Sequence, residues 1–307
     1  MGPVRIALAV AVAAAVTACS GPVASVRSQV ESVPATYYLA LGDSLSQGVQ
    51  PDAAGTSVPT GQGYPDQLYA VLHRGQPALQ LVKLGCPGET TATMIHGGIC
   101  RYRDGSQLAA AAAFLSAHRG RVVLVTIDIG ANDPEDCGAA AGLRALTSCI
   151  GTDLPAVIGN LSTILTRLRA AAGPDVRMAG MSYYLPALAA WRQGTVGQGV
   201  AWVSERLAAG YNGLLDRAYG SSGVRVANVF GAFETSDFGN REAVPGVGTV
   251  PRNVARICQW TWACASPPRG PNQHANQAGY GVIAQAFLSA ARLSLCGRAG
   301  WTGPAAG

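Results

Sequence analysis

The first group in this sequence able to do covalent chemistry is a hydroxyl at the end of an apolar run, where Tyr37 to Leu41 leads into Gly42-Asp43-Ser44. Bounded by Pro34 and Gly42, the run predicts a buried strand whose final turn would hold Ser44 at the carboxyl edge of a sheet, where open α/β folds place their reactive groups. Two further strand ends carry small polar turns, Pro87-Gly88-Glu89 and Gly130-Ala131-Asn132-Asp133. Acyl transfer by a serine needs a hydroxyl, a base and donors aimed at the developing oxyanion. Glycine lets a backbone N–H approach a substrate closely, and an asparagine amide donates without adding charge. The three turns therefore hold every part except the base. Taken alone, a serine after a glycine only caps a helix or closes a turn.

Four histidines compete for the base. His73 and His118 fall in the last turns of predicted helices just before glycines, where a cation suits the helix dipole, so both read as structural. His96 lies between Cys86 and Cys100. His274 stands in Gly270-Pro271-Asn272-Gln273-His274-Ala275-Asn276, a loop ahead of the last predicted helix. A rigid Pro/Gly approach suits a base that must be held still.

The elements that must position these groups alternate. Strands are expected at Tyr37–Leu41, Leu79–Leu84, Arg121–Ile129, Val176–Met181 and Val224–Val229, with helices at Tyr64–Leu72, Ser106–His118, Leu154–Ala172, Val200–Tyr219 and Asn276–Leu293. Such alternation predicts a parallel sheet covered on both faces. Segments Val49–Gly63 and Phe230–Pro271 read as loops expected to line any pocket. Trp260 and Trp262 read as packing within a loop rather than as a substrate platform.

Size and charge narrow the class. With 307 residues, 49% hydrophobic and 13% charged, the chain can bury a large core. The net charge of +5 is spread thinly without a basic run, which argues against nucleic acid or an anionic membrane as partner. Residues 1–18 read as a secretory signal: Arg5 is positive, Ile6–Val16 is apolar but too short to span a bilayer, and Val16-Thr17-Ala18 precedes Cys19. The Val-Thr-Ala-Cys ending resembles a bacterial lipobox, implying lipidation of Cys19 and a linker to residue 34; a cleaved signal with an incidental cysteine is the alternative. The expected location is outside the cytoplasm, lipid-anchored or secreted, with the membrane reached only through that anchor.

Export also makes disulfides plausible. Close pairs suggest Cys86–Cys100, Cys137–Cys149 and Cys258–Cys264, leaving Cys296 over. No metal is expected, because there is no Cys-x-x-Cys and no histidine at ligand spacing.

Together these residues resemble the SGNH, or GDSL, hydrolases. The resemblance rests on four blocks in order: Gly42-Asp43-Ser44-Leu45-Ser46, Gly88 in Pro-Gly-Glu-Thr, Gly130-Ala131-Asn132-Asp133, and His274 with Ala278-Gly279-Tyr280. It implies a three-layer α/β/α flavodoxin-like domain over residues 35–297, followed by a tail at 298–307. It also implies cofactor-free hydrolysis of small-molecule or lipid carboxylic esters, with disulfides like those of the secreted lipase and esterase branch. Ser44 would be the nucleophile. Its N–H, the N–H of Gly88 and the Asn132 side chain would form the oxyanion hole, and His274 would be the base. The family's aspartate three residues before the histidine is here Pro271, so the expectation is a Ser–His dyad with the Pro271 carbonyl accepting from the ring. A monomer is expected. The alternatives are an acyltransferase or carbohydrate deacetylase acting on envelope glycans, or a non-catalytic glycan- or lipid-binding lipoprotein.

Overall fold

The computed structural model describes residues 34–133 and 143–292, with side chains of the second span described from Asp153 onward. The expected signal peptide, Cys19, residues 20–33 of the linker, Cys137, the Cys149 side chain, Cys296 and the tail lie outside the described residues.

The chain opens with strands β1 (Thr36–Gly42), β2 (Gln50–Pro51) and β3 (Ser57–Val58), then helix α1 (Tyr64–Gly75) and β4 (Leu79–Lys83). Helices α2 (Thr91–His96) and α3 (Gln107–Ala117) lead to β5 (Val122–Asp128), and α4 (Leu143–Ala172) to β6 (Arg177–Met181). A 3₁₀ segment (Pro186–Gln193) runs into α5 (Gly194–Ser221), followed by β7 (Arg225–Ala227) and the single turn α6 (Val229–Ala232). A hairpin of β8 (Arg241–Val244) and β9 (Gly248–Pro251), then α7 (Arg252–Trp260) and α8 (Gln277–Ala290), complete it.

The main sheet runs β4-β1-β5-β6-β7 with every pair parallel. Its middle strands are apolar along their length: Leu39, Ala40, Leu41, Leu124, Val125 and Ile127 are fully buried. A sheet that buries both faces needs such continuous runs. Right-handed crossovers put α1 on one face and α3, α4 and α5 on the other, and α8 returns to pack on α1. The result is the three-layer α/β/α architecture expected. Strand order reverses between β1 and β5, so the turns after these two strands flank the topological switch point, where such sheets bind ligands.

All five expected strands of the sheet form, but element ends and one loop differ. Helix α4 starts at Leu143 and carries Pro155 inside it, whereas proline in the sequence marks a helix beginning. Helix α5 starts at Gly194, six residues before its expected start, despite Gly194, Gly197 and Gly199. Gly197 is needed because a Cβ there would collide with the Ala190 carbonyl oxygen, so the glycine lets α5 pack tightly on the 3₁₀ segment. The segment read as loop after Phe230 holds the β8–β9 hairpin and α7. Disulfides join Cys86 to Cys100 and Cys258 to Cys264.

Candidate active site

The turn after β1 is clamped from below. Gly42 has φ of +130°, and a Cβ there would collide with the Asp128 carbonyl oxygen, so only glycine fits where β1 meets the end of β5. The Asp43 carboxylate accepts the Leu45 N–H at 2.9 Å, and the Ser46 hydroxyl donates to the Asp43 carbonyl at 2.7 Å, which fixes Ser44 between them. Beneath this turn lies Asp128, fully buried. Its carboxyl accepts from the Ser46 N–H at 3.1 Å, the Asp43 N–H at 3.3 Å and the Tyr64 hydroxyl at 2.5 Å. Burial first, and then the charge of Asp43, push its pKa well above the usual carboxylate range; a hydrogen bond between the two carboxyls has the same effect.

Gln107, at the start of α3, ties two of the turns together. Its Oε1 accepts the Gly42 N–H at 2.7 Å, while Nε2 donates to the Gly42 carbonyl at 2.9 Å and to Glu89 Oε2 at 3.0 Å. The Glu89 carbonyl in turn accepts from Asn132 Nδ2 at 2.9 Å, so the turn holding Gly88 and the turn after β5 are joined directly. Only one of the two amide hydrogens of Asn132 is used in that bond. Gly88 itself has φ of +82°, a left-handed conformation suited to glycine. Asp133 accepts from the Thr91 N–H at 3.0 Å and caps the first turn of α2.

The fourth component arrives from the far end of the chain. Trp262 N–H donates to the His274 carbonyl at 3.0 Å, Asn272 N–H to the Trp262 carbonyl at 3.1 Å and Asn276 N–H to the Trp260 carbonyl at 3.0 Å, so the histidine loop is strapped to the segment closed by Cys258–Cys264. Asn276 then caps α8 by accepting the Gly279 N–H at 3.0 Å. His274 Nε2 lies 3.0 Å from Ser44 Oγ. Groups 230 residues apart in sequence thus meet within hydrogen-bond reach.

The acceptor at the other ring nitrogen corrects the expectation. It is the side chain of Asn272, with Oδ1 2.8 Å from Nδ1, and not the Pro271 carbonyl. The same Oδ1 accepts the His274 backbone N–H at 3.0 Å, and Asn272 Nδ2 donates to Ser57 Oγ at 2.9 Å. A backbone N–H can only donate, so the oxygen end of the amide faces the imidazole. Nδ1 therefore carries the hydrogen, Nε2 presents its lone pair, and the Ser44 hydroxyl donates to it. An asparagine two residues before the histidine is in the sequence, but a search for a carboxylate three before it passes over it. Gln107 gave no sequence signal at all. Burial lowers the pKa of the imidazole to about 4, which keeps it neutral.

Ser44, Asn132 and His274 open into one cavity of about 410 Å³, a size usual for a small-molecule pocket. Gly88 is not among its lining residues. The walls are not the loops 49–63 and 230–271 expected. They come from Leu154 and Val157 of α4, the stretch Tyr183 to Ala187 after β6, and Leu207, Ala208 and Tyr211 of α5. Helices and the 3₁₀ segment reach over the sheet edge here, whereas Trp260 packs on Phe233 and Trp262 lies under Arg269, neither in the cavity wall. Of the other histidines, His73 Nδ1 lies 3.2 Å from the Leu79 carbonyl and His118 Nδ1 2.9 Å from that of Phe114, and neither these nor His96 line the cavity. Among the described residues, no group of three or more His, Cys, Asp or Glu is placed to hold a metal ion.

A hydroxyl and an imidazole in hydrogen-bond reach, in a pocket over the carboxyl edge of a parallel α/β sheet, fit a serine hydrolase. The profile of the GDSL-like lipase/acylhydrolase family matches residues 40–282, and the chain belongs to that family. It is accordingly a carboxylic ester hydrolase by class. No curated protein sequence matches the chain. Among solved structures, the extracellular lipase of Streptomyces rimosus is similar at 17% identity and a TM-score of 0.54, over 83% of this chain and 100% of that one. The phospholipase A1 of Streptomyces albidoflavus is similar at 17% identity and a TM-score of 0.55, over 83% and 99%. Axe2, an acetylxylan esterase of Geobacillus stearothermophilus, is similar at 15% identity and a TM-score of 0.50, over 85% and 96%. At these identities the likeness is one of fold.

Proposed function

We propose that this chain is an exported serine esterase or lipase that cleaves carboxylic esters of apolar acids through an acyl-enzyme. The observation that carries the reading is the Ser44 hydroxyl 3.0 Å from Nε2 of His274, inside a cavity walled mostly by leucine, valine, alanine and tyrosine, with Asp133, Asp153, Asn212 and Gln273 among its polar lining residues. His274 Nε2 takes the Ser44 proton as Oγ attacks the ester carbonyl carbon, forming the C–O bond. The N–H groups of Ser44 and Gly88 and the second amide hydrogen of Asn132 stabilise the oxyanion. The tetrahedral species collapses, the alkoxide leaves with the proton from His274, and Ser44 stays acylated. Water then gives a proton to Nε2 and its oxygen to the acyl carbon, releasing the acid and restoring the hydroxyl. Asn272 takes the place of the third triad member by fixing the tautomer, without a formal charge.

The apolar walls favour an acyl chain over a polyol, which supports hydrolysis of fatty esters ahead of sugar deacetylation. The signal-like start, the lipobox-like Val-Thr-Ala-Cys ending and two disulfides support an exported protein, lipid-anchored or secreted, in which residues 35–297 form the catalytic domain. Wild-type protein should label with a fluorophosphonate probe and hydrolyse p-nitrophenyl esters, whereas Ser44→Ala should do neither. Turnover by Ser44→Ala at the wild-type rate would overturn the mechanism.

A further inference from the structure

The first half of α5 carries an apolar stripe that starts in solvent and ends in the pocket. Val196, Val200, Val203, Leu207 and Tyr211 recur every three or four residues, the spacing that puts side chains on one face of a helix. Val196 is 82% exposed, Val200 46% and Val203 39%, whereas Leu207 and Tyr211 line the cavity that holds Ser44. From Gly194 to Ser204 the sequence has no charged residue. An apolar strip open to water is costly to maintain, and this one leads from the surface into the acyl-binding wall.

We propose that this stripe is a docking surface for a lipid aggregate, seating α5 on the surface of a micelle or bilayer so that an ester enters the pocket along Val203 and Leu207 without crossing water. The proposal rests on the hydrolase reading for its biological purpose but not for the docking itself. Two observations select this occupant. The stripe is continuous with the pocket wall, as a route for a lipid chain must be. Three exposed valines and the neighbouring Trp202, 43% exposed, also fall far short of the roughly 20–30 residues a side that a stable protein interface takes, while shallow insertion of an apolar helix face gives the reversible binding a lipid surface needs. Lacking charge, the surface should take up zwitterionic lipid and tolerate salt.

Flotation with phosphatidylcholine vesicles tests this on the mature Ser44→Ala protein beginning at Ser20, so that neither the apolar signal nor a lipid on Cys19 contributes in any arm. The protein should co-float at low and at high salt, and adding Val196→Asp with Val200→Asp should lower partitioning about tenfold or more. The same pair in the active chain should slow hydrolysis of an emulsified long-chain ester by a similar factor and leave p-nitrophenyl acetate hydrolysis at the wild-type rate. Equal flotation with and without the aspartates would overturn the proposal. So would a concentration-dependent dimer that they abolish in a protein that does not float, because the face would then belong to a second copy. Flotation uses the inactive protein, so its outcome stands even if the active chain hydrolyses no ester.

Discussion

At the residue scale, the Asn272 amide stands at Nδ1 of His274 where the usual triad has a carboxylate. In the proposed mechanism it would hold the Nδ1–H tautomer but bring no negative charge to stabilise an imidazolium formed on deprotonation of Ser44. Asn272→Ala should free the ring and lower kcat roughly 10²-fold, since small misplacements of a base cost about that much. Asn272→Asp should act through charge instead. An adjacent carboxylate favours the protonated ring, so the acid limb of kcat/KM, expected near the about 4 of the buried imidazole, should move to higher pH. A pH–rate profile of the two proteins on one soluble ester checks both the position and the direction. Asn132→Ala should cost about 2.7–4 kcal/mol of barrier, read as a fall of roughly 10²–10³ in kcat with little change in KM.

At the element scale, the site exists because turns from different strands are held to one another, and Gln107 is the tie. Removing its side chain leaves the buried Gly42 N–H without an acceptor, while the Gly42 carbonyl keeps the Cys86 N–H at 2.9 Å and Glu89 keeps its bond with Thr93. One such orphaned donor costs about 1–3 kcal/mol, so Gln107→Ala should lower stability by about that amount, measurable in urea unfolding, and reduce kcat by loosening the turns it joins. The disulfide near the histidine loop acts on the same level. Cys258 and Cys264 are six apart in sequence, and on chain-entropy grounds a loop that short is worth about 2 kcal/mol. Cys258→Ser with Cys264→Ser should therefore lower the unfolding free energy by about that amount.

For the whole molecule, the Asp43–Asp128 pair sets a pH dependence opposite in sign to that of most carboxylates. The folded protein retains a proton there that the unfolded chain gives up near the ordinary carboxyl value of about 3.9. Between that value and the raised folded one the native state binds more protons, so this contribution to stability is present at low pH and is lost as pH rises through the window. Asp128→Asn keeps an acceptor for the Ser46 and Asp43 N–H groups and removes the titration. The stability of the variant relative to wild type should therefore increase as pH rises above the ordinary carboxyl value of about 3.9, followed by urea midpoints from acid to neutral pH.

The same scale divides what was legible in the residues from what was not. The five strands, the polar turns at Ser44, Gly88 and Asn132, and a histidine ahead of the last helix follow from local pattern: apolar runs, glycines at strand ends, a capped amphipathic helix. Those signals are carried by neighbours in sequence, so the sequence alone determined the fold class and the members of the candidate dyad. The partner of Nδ1, the tie through Gln107, the walls of the pocket and the outward face of α5 depend on which segments pack together over the sheet edge. A side-chain amide and a backbone carbonyl are equally good acceptors on paper, and only the path of the loop through Trp262 turned Asn272, rather than Pro271, toward the ring.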